Sequence, residues 1–273
     1  MMAADDRRPI GIFDSGLGGL TVLQAVMAEL PYEETIYFGD SGRAPYGSKS
    51  PETVIKFSLQ NARFLIEQQV KMIIIACNTA SSRAYADVRG ITDIPVVEVI
   101  HPGAEKAASA TRNGRIGVIG TRGTVESQVY PQAIRRYASA DAQIFQQACP
   151  LFVSLAEEGW WDKPVTREIA EIYLNPLLKR GIDTLVLGCT HYPLLSQVIA
   201  SVVGPGVTLV NAGQPVAQIA RHELEKLGLC NDSKLPGRHF YYTSDSVDQF
   251  RLLGSAFLAE PVEQALRIDI ERY

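Results

Sequence analysis

Two segments of the chain share one pattern, in which an unbroken apolar run ends in a small residue, a cysteine and two hydrogen-bonding side chains. They are residues 72–79 (MIIIACNT) and 184–191 (TLVLGCTH). Continuous apolar runs bounded by polar residues are typical of strands buried on both faces of a parallel sheet. Ligands of open α/β sheets bind just beyond the carboxyl ends of such strands. The pattern therefore predicts one thiol, Cys77 or Cys189, at the functional edge of each of two similar sheets.

Strand-like and helix-like segments alternate along the chain, which is typical of an α/β protein with mostly parallel sheets. Residues 115–121 (RIGVIGT) repeat the character of residues 9–15 (PIGIFDS), so the pattern starts again in a second half. We therefore predict two similar α/β lobes, with the active site in the cleft between them. The tail is expected to return to the first lobe, which then comprises residues 1–97 plus 210–273, while the second comprises residues 98–209.

Helices are predicted where apolar residues recur with helical spacing or where Pro and Gly mark the ends of a polar turn. The predicted helices cover residues 20–29, 51–69, about 80–88, 166–179, 217–227 and 247–258. Further strands are predicted at residues 10–13, 35–38 and 240–243, and residues 43–48 are predicted to form a loop.

Composition excludes several classes of protein. The chain has 273 residues, of which 46% are hydrophobic, and a formal net charge of -4. This length is enough for two ordinary domains or one large one. The negative charge and the lack of a basic cluster argue against a nucleic-acid partner. No apolar stretch approaches the roughly 20 residues of a membrane span, and the N-terminal residues lack a signal-peptide core. We therefore expect no membrane association and a cytoplasmic location.

The chain has four cysteines, namely Cys77, Cys149, Cys189 and Cys230. A cytoplasmic chain of this length neither needs nor keeps disulfides. No C-x-x-C pair occurs, and the Cys-Thr-His spacing at Cys189 is not a recognised zinc motif. We therefore predict no metal site. Cys149 and Cys230 are interpreted as small buried hydrophobic residues, whereas the matched positions of Cys77 and Cys189 favour a functional role.

Paired thiols suit the removal and return of a proton on a carbon acid. Two thiols that face one carbon from opposite sides can invert a stereocentre, if one is a thiolate and the other a thiol. His191 lies two residues beyond Cys189 and could tune its charge. Asp14 follows a neighbouring strand and could do the same for Cys77. An aspartate before a Gly-rich turn is equally typical of a helix N-cap or a turn former, so both interpretations stay open for Asp14.

Residues 14–19 (DSGLGG) precede a helix and could bind an anion through backbone N–H groups. The motif is neither G-x-G-x-x-G nor a P-loop, so a nucleotide is disfavoured and a small carboxylate favoured. Short hydrogen-bonding side chains follow several strands, which suits the carboxylates and ammonium of an amino acid. They are Ser15, Asn78, Thr79, Thr121 and Thr190.

Five motifs, in this order, resemble those of the glutamate racemases of the aspartate/glutamate racemase family. They are residues 11–22 (GIFDSGLGGLTV), 45–47 (PYG), 76–80 (ACNTA), 117–121 (GVIGT) and 188–193 (GCTHYP). The resemblance covers nearly the whole chain and implies two α/β lobes in pseudo-twofold relation. It also implies a cofactor-independent enzyme that interconverts L- and D-glutamate and supplies D-glutamate for peptidoglycan biosynthesis. We accordingly expect glutamate as the ligand, no cofactor, and a homodimer.

The resemblance implies roles for single residues as well. Cys77 and Cys189 match the two acid/base thiols, and Asp14 and His191 assist them. Glu157 matches the first position of a Glu-x-Gly motif that supplies an auxiliary carboxylate, although Glu158 is adjacent. The positions that match substrate contacts are Asp14, Ser15, Tyr46, Gly47, Asn78, Thr79, Thr190 and His191.

The residues alone leave other functions open. The same thiol pair could racemise aspartate or another amino acid. A single cysteine with His191 as base could act as a hydrolase nucleophile. A carboxylate-binding sensor would need no paired thiols, and a metalloenzyme is only weakly indicated by the Cys and His content.

Overall fold

A computed structural model describes residues 6–233 and 235–273. The strands along this part of the chain are β1 (Ile10–Asp14), β2 (Thr35–Gly39), β3 (Met72–Ile75), β4 (Val96–Glu98), β5 (Arg115–Gly120), β6 (Gln143–Ala148), β7 (Thr184–Gly188), β8 (Thr208–Val210), β9 (His239–Thr243) and β10 (Leu266–Arg267). The helices are α1 (Leu20–Glu29), α2 (Pro51–Glu67), α3 (Asn78–Gly90), α4 (Ile100–Ala110), α5 (Arg122–Glu126), α6 (Val129–Tyr137), α7 (Leu151–Glu157), α8 (Pro164–Leu178), α9 (Ser196–Val203), α10 (Gly213–Leu227) and α11 (Val247–Leu258). Among the described helices, none combines the length and the apolar character that crossing a lipid bilayer requires.

The chain divides into two compact units, one made of the residues up to Val99 together with Gly213–Tyr273 and the other of Ile100–Ala212. Each unit contains one sheet in which all neighbouring strands are parallel. The predicted α/β class with parallel sheets is therefore confirmed. Parallel sheets of this kind place helices on their faces and keep the central strands dry.

The first unit contains a six-stranded sheet with the order β10-β9-β2-β1-β3-β4, so the C-terminal segment extends the sheet beside β2. Every residue of β1, β2 and β3 is buried. Phe13 lies opposite Ile75, and the N–H of Ala76 donates to the carbonyl of Phe13 at 2.9 Å. Because the two strands are in this register, Asp14 at the end of β1 and Cys77 just after β3 lie at the same edge of the sheet.

The second unit contains a four-stranded sheet with the order β6-β5-β7-β8. Gly120 at the end of β5 lies opposite both Ala148 of β6 and Gly188 of β7. The residues that come next, Thr121, Cys149 and Cys189, consequently follow three adjacent strands at one edge. The apolar runs before Cys77 and Cys189 thus occupy equivalent central positions, as predicted from their sequence.

A buried ion pair joins three separate segments of the first unit at the start of β3. Lys71 Nζ lies 2.6 Å from Glu33 Oε2, and both side chains are almost fully buried. The same ammonium donates to the carbonyl oxygens of Asp6 and Leu229, at 2.6 and 2.7 Å. A buried charge needs such partners because the loss of hydration is costly.

Helix boundaries differ from the predicted ones by a few residues. The helix predicted for residues 51–69 ends at Glu67, because Gln69 adopts a left-handed backbone conformation with φ of 57°. The helix predicted to start near residue 80 starts at Asn78, because the sulfur of Cys77 caps it by accepting the N–H of Ala80 at 3.4 Å. A cysteine is a rare cap, so the usual capping rules do not find this boundary.

Candidate active site

Five short side chains lie together at the carboxyl edge of the first sheet, and we name this group the Cys77 site. It comprises Asp14, Ser15, Cys77, Asn78 and Thr79, each at most 9% exposed. The thiol of Cys77 donates to Ser15 Oγ, with the sulfur 3.5 Å from the oxygen. The residue directly after β1 thus supplies the polar partner of a thiol that follows β3.

Cys77 occupies the N-cap position of α3, a helix of 13 residues. The N-terminus of a helix carries a partial positive charge and unpaired N–H groups. Here one such N–H, that of Ala80, points at the sulfur. This position stabilises negative charge on the sulfur and so suits a thiolate base.

Asp14 is a turn former in this structure, since its Oδ2 accepts the N–H of Gly16 at 3.0 Å, while its carboxylate remains fully buried at the Cys77 site. Tyr37 lies behind the same turn and donates its hydroxyl to the carbonyl of Gly16 at 2.8 Å. Burial, with Asp14 and Cys77 nearby, raises the pKa of Tyr37 well above its usual value, so this phenol stays neutral. Tyr37 thus supports the turn, a role that the sequence analysis did not predict.

The anion site predicted at residues 14–19 is occupied in part by the protein itself. The first N–H groups of α1, on Leu20 and Thr21, donate to the carbonyls of Leu17 and Gly18 at 3.0 and 3.1 Å. A carboxylate would have to compete with these acceptors. Side chains of the Cys77 site are therefore the better candidates for substrate contacts.

The second unit brings together Thr121, Glu157, Cys189, Thr190 and His191, which we name the Cys189 site. The Cys189 sulfur lies 3.8 Å from His191 Nδ1. The other ring nitrogen, Nε2, lies 3.1 Å from Glu157 Oε1. His191 is thus held between a thiol and a carboxylate, an arrangement typical of a tuned nucleophile or base.

Both partners of His191 favour its charged form. Burial opposes the charge, but the hydrogen bonds to Cys189 and Glu157 and their negative charges outweigh it and raise the pKa of His191 to about 10. A pKa this high keeps the imidazole protonated at neutral pH, which places a positive charge beside the sulfur of Cys189. Glu157, not the adjacent Glu158, makes this contact, because α7 ends at Glu157 with its side chain toward the histidine.

The family model for Asp/Glu/hydantoin racemases matches residues 20–220, about three quarters of the chain. The chain belongs to the Asp/Glu/hydantoin racemase family. The predicted enzyme class, an amino-acid racemase and hence an isomerase, is thereby confirmed.

Other members of this family resemble the chain over nearly its whole length. The glutamate racemase of Geobacter metallireducens is 47% identical over 264 residues, which cover 97% of each protein. The crystal structure of glutamate racemase from Francisella tularensis in complex with D-glutamate matches with a TM-score of 0.91 and 38% identity, covering 98% of this chain and 100% of that one. The glutamate racemase from Thermus thermophilus in complex with beta-chloro-D-alanine matches with a TM-score of 0.88 and 43% identity, covering 98% and 100%.

Tyr46, which the resemblance assigns to substrate contact, is turned into the first unit. Its side chain is 1% exposed, and its hydroxyl donates to Asp40 in a very short hydrogen bond. Any contact of Tyr46 with a substrate would therefore come from its backbone, as for Gly47, the next residue of the same 3-10 turn (Tyr46–Ser48). The sequence alone could not show whether Tyr46 would contact a substrate through its side chain or through its backbone.

Cys149 and Cys230 lie outside both sites as defined. Burial raises the pKa of Cys149, and the nearby Cys189 raises it further. A thiol of this kind stays protonated and inert. Burial also raises the pKa of Cys230, which is partly exposed. Within residues 6–233 and 235–273, no three histidine, cysteine or carboxylate side chains are grouped so that they could bind a metal ion.

Proposed function

We propose that this protein interconverts L- and D-glutamate, with Cys77 and Cys189 as the two acid/base groups. The observation that carries the proposal is the equivalent placement of the two thiols. Each follows a central buried strand of its own parallel sheet, and each has its own polar partner. Relatives that share 45–49% of its residues over at least 92% of the chain are glutamate racemases, which supports glutamate as the substrate.

The proposed reaction moves one proton off the α-carbon and another onto it. One cysteine, as thiolate, takes the α-proton and becomes a thiol, and the C–H electron pair stays on the substrate as a carbanion. The other cysteine, as thiol, gives its proton to the opposite face and becomes a thiolate. The two sulfurs have then exchanged protonation states, and exchange with water restores the starting state. This scheme requires both sulfurs to reach one carbon.

The neighbours of each thiol have matching roles in this proposal. The N-terminus of α3 and the hydroxyl of Ser15 stabilise negative charge on Cys77, and Asp14 assists the proton transfer there. Protonated His191, held by Glu157, stabilises the thiolate of Cys189. Each environment raises the fraction of sulfur that is ionised and so available to take the α-proton.

Substrate binding is assigned to donors that surround the two thiols. Glutamate carries two carboxylates and one ammonium, so it needs several donors and at least one acceptor. The proposed contacts are Asp14, Ser15, Tyr46, Gly47, Asn78, Thr79, Thr121, Thr190 and His191. Asp14 is the acceptor suited to the ammonium, and the hydroxyl and amide side chains are the donors suited to the carboxylates.

The proposal extends to the cellular role. D-Glutamate made by this reaction would enter peptidoglycan biosynthesis and so serve cell-wall formation and cell shape. We further propose that the protein acts in the cytoplasm as a homodimer, with no nucleic-acid partner and no added cofactor.

The substrate is tested by comparing turnover of L-glutamate, D-glutamate, L-aspartate and D-aspartate by the purified chain, followed by circular dichroism. We expect both glutamate enantiomers to approach a racemic mixture, with kcat/KM at least about 100-fold above that for aspartate, since a substrate one methylene shorter misplaces a carboxylate. Comparable turnover of aspartate would favour a broader amino-acid racemase. No turnover of either acid would overturn the proposal.

Gly19 is the position where the smallest change should disturb the Cys77 site. A Cβ atom added there would lie 2.5 Å from Asp14 Cβ and 2.9 Å from the Tyr37 hydroxyl. We expect Gly19→Ala to lower kcat for glutamate by about 10- to 100-fold, because shifts below 1 Å at reacting groups are costly. Gly90→Ala is the matched control, since its Cβ would meet nothing within 4 Å. Equal kcat for both variants would contradict this prediction.

A further inference from the structure

A polar network, largely buried except at Glu271, lies beneath the segment that carries Tyr46 and Gly47 in the first unit. We name it the Asp40 network, and it comprises Asp40, Arg43, Tyr46, Gln60, Asn61 and Glu271. Asp40 directly follows β2, and its carboxylate is completely buried. It accepts from Arg43 Nε at 2.8 and 3.0 Å, from the Tyr46 hydroxyl, and from Ser244 Oγ at 2.8 Å. A buried carboxylate with this many donors is rigidly fixed.

Arg43 joins three parts of the chain through one guanidinium group. Besides Asp40, it donates to Gln60 Oε1 at 2.6 Å and to Asn61 Oδ1 at 3.1 Å, both on α2. It also donates to Glu271 Oε1 at 2.9 Å, in the C-terminal 3-10 turn (Ile270–Arg272). The group lies 4.0 Å from the centre of the Phe57 ring and its side chain is 12% exposed.

Tyr46 is the member of the network that the resemblance also assigns to substrate contact. Its hydroxyl donates to Asp40 and accepts from Asn61 Nδ2, with 3.0 Å between nitrogen and oxygen. The ring packs against Phe57, with centroids 5.6 Å apart. Arg43 and Tyr46 therefore share the carboxylate of Asp40, the amide of Asn61 and the ring of Phe57. Moving the guanidinium would leave these shared partners less firmly held and so loosen the backbone of residues 46–47.

The C-terminal turn completes the network from the far end of the sequence. Ile270 is buried in the core of the first unit. Gln60 Nε2 lies 3.5 Å from the carbonyl of Ile270 and from Glu271 Oε2. The last residues of the chain are thereby tied to the same guanidinium that holds residues 41–48.

We propose that Arg43 is a positioning residue for substrate binding, which holds the backbone of Tyr46 and Gly47 in the conformation that contacts glutamate. This inference rests on the proposed function, since it takes glutamate as the ligand of those two residues. The hydrogen bonds and ion pairs of Arg43 go to Asp40, Gln60, Asn61 and Glu271, none of which belongs to the Cys77 site. Its loss should therefore weaken binding and leave the proton-transfer step nearly intact.

The test compares Arg43→Gln and Arg43→Lys with the wild-type protein, using KM and kcat for both glutamate enantiomers. For Arg43→Gln we expect KM to rise about tenfold or more, the size of one lost charge-assisted hydrogen bond, with kcat changed less than about threefold. Lysine can pair with Asp40 but lacks the planar fork needed for Gln60, Asn61 and Glu271 together. Arg43→Lys should therefore raise KM less than Arg43→Gln does, again with little change in kcat.

Arg272→Gln is the matched control, because Arg272 lies in the same C-terminal turn but pairs at the surface with Glu67, both about 60% exposed. It should leave KM and kcat unchanged. Thermal unfolding of each variant separates loss of fold from loss of positioning. Glu271→Gln removes one charged partner of Arg43 and is a milder variant than Arg43→Gln, with an expected rise in KM of about two- to threefold.

The outcomes are distinct. Suppose that wild-type protein turns over glutamate and the Arg43 variants have the same KM as wild type. The positioning role is then overturned and the proposed function stands. The same conclusion follows if kcat falls and KM rises in the variants in proportion to a loss of thermal stability. If wild-type protein does not turn over glutamate, the proposed function fails and the inference fails with it.

Discussion

Cys77→Ser and Cys189→Ser are each expected to lower the rate of glutamate racemisation by about 10²- to 10⁴-fold, the usual contribution of one acid/base group. A serine hydroxyl holds its proton far more strongly than a thiol, so it can neither take the α-proton nor exchange roles with the second cysteine. The loss should be seen from both enantiomers, because each direction uses both sulfurs. Optical rotation or circular dichroism, started from L- and from D-glutamate, measures it.

Cys230→Ser is the control for the cysteine variants. It makes the same chemical change at a partly exposed thiol that belongs to neither site. We expect it to keep wild-type rates. Full racemisation by either the Cys77 or the Cys189 variant would show that one thiol suffices, and the two-thiol mechanism would then be wrong.

His191→Asn should have the second largest effect, a fall in kcat of about 10- to 100-fold, because it removes the positive charge beside the Cys189 thiolate. Glu157→Gln removes only the outer partner of the histidine and should have a smaller effect. Measuring kcat for the two variants at neutral pH compares these contributions. Equal activity of His191→Asn and wild type would contradict a role for the imidazolium.

The same histidine gives the protein a pH-dependent stability. Its pKa is about 6.5 when unfolded and is raised to about 10 in the folded protein. The contribution to the free energy of unfolding, of the order of a few kcal/mol, is therefore fully present below pH 6.5 and is lost as the pH rises through 10. Urea unfolding of wild type and His191→Asn at pH 6, 8 and 10 should give a difference that shrinks with rising pH. A difference that grows would contradict the raised pKa.

The parts of the fold that the sequence predicts well are those governed by local pattern. Strands β3 and β7 were predictable because a strand buried on both faces must be apolar throughout. Strand β6 was not predicted, because its sequence, QIFQQA, is half polar and only partly buried at the edge of its sheet. The start of α3 was missed by two residues because its cap is the sulfur of Cys77.

The candidate site was predictable to the extent that its residues follow strands. Cys77, Asp14 and Thr121 could be placed at sheet edges from the ends of apolar runs. The Asp40 network could not be predicted, since it joins Arg43 to Glu271 across more than 200 residues and no local pattern records such a contact. The buried orientation of Tyr46 depends on the same network. The contact between Glu157 and His191 likewise arises from tertiary packing of α7.

The central claim is that two separate groups handle the proton on the two faces of the α-carbon. It is tested by incubating the wild-type protein with L-glutamate or D-glutamate in D2O, with no added cofactor, and separating the enantiomers at low conversion. Two thiols predict that the newly formed enantiomer carries deuterium at the α-carbon while the recovered starting enantiomer still carries protium. Deuterium entering both enantiomers at equal rates from the start, or a product that keeps protium, would contradict the account.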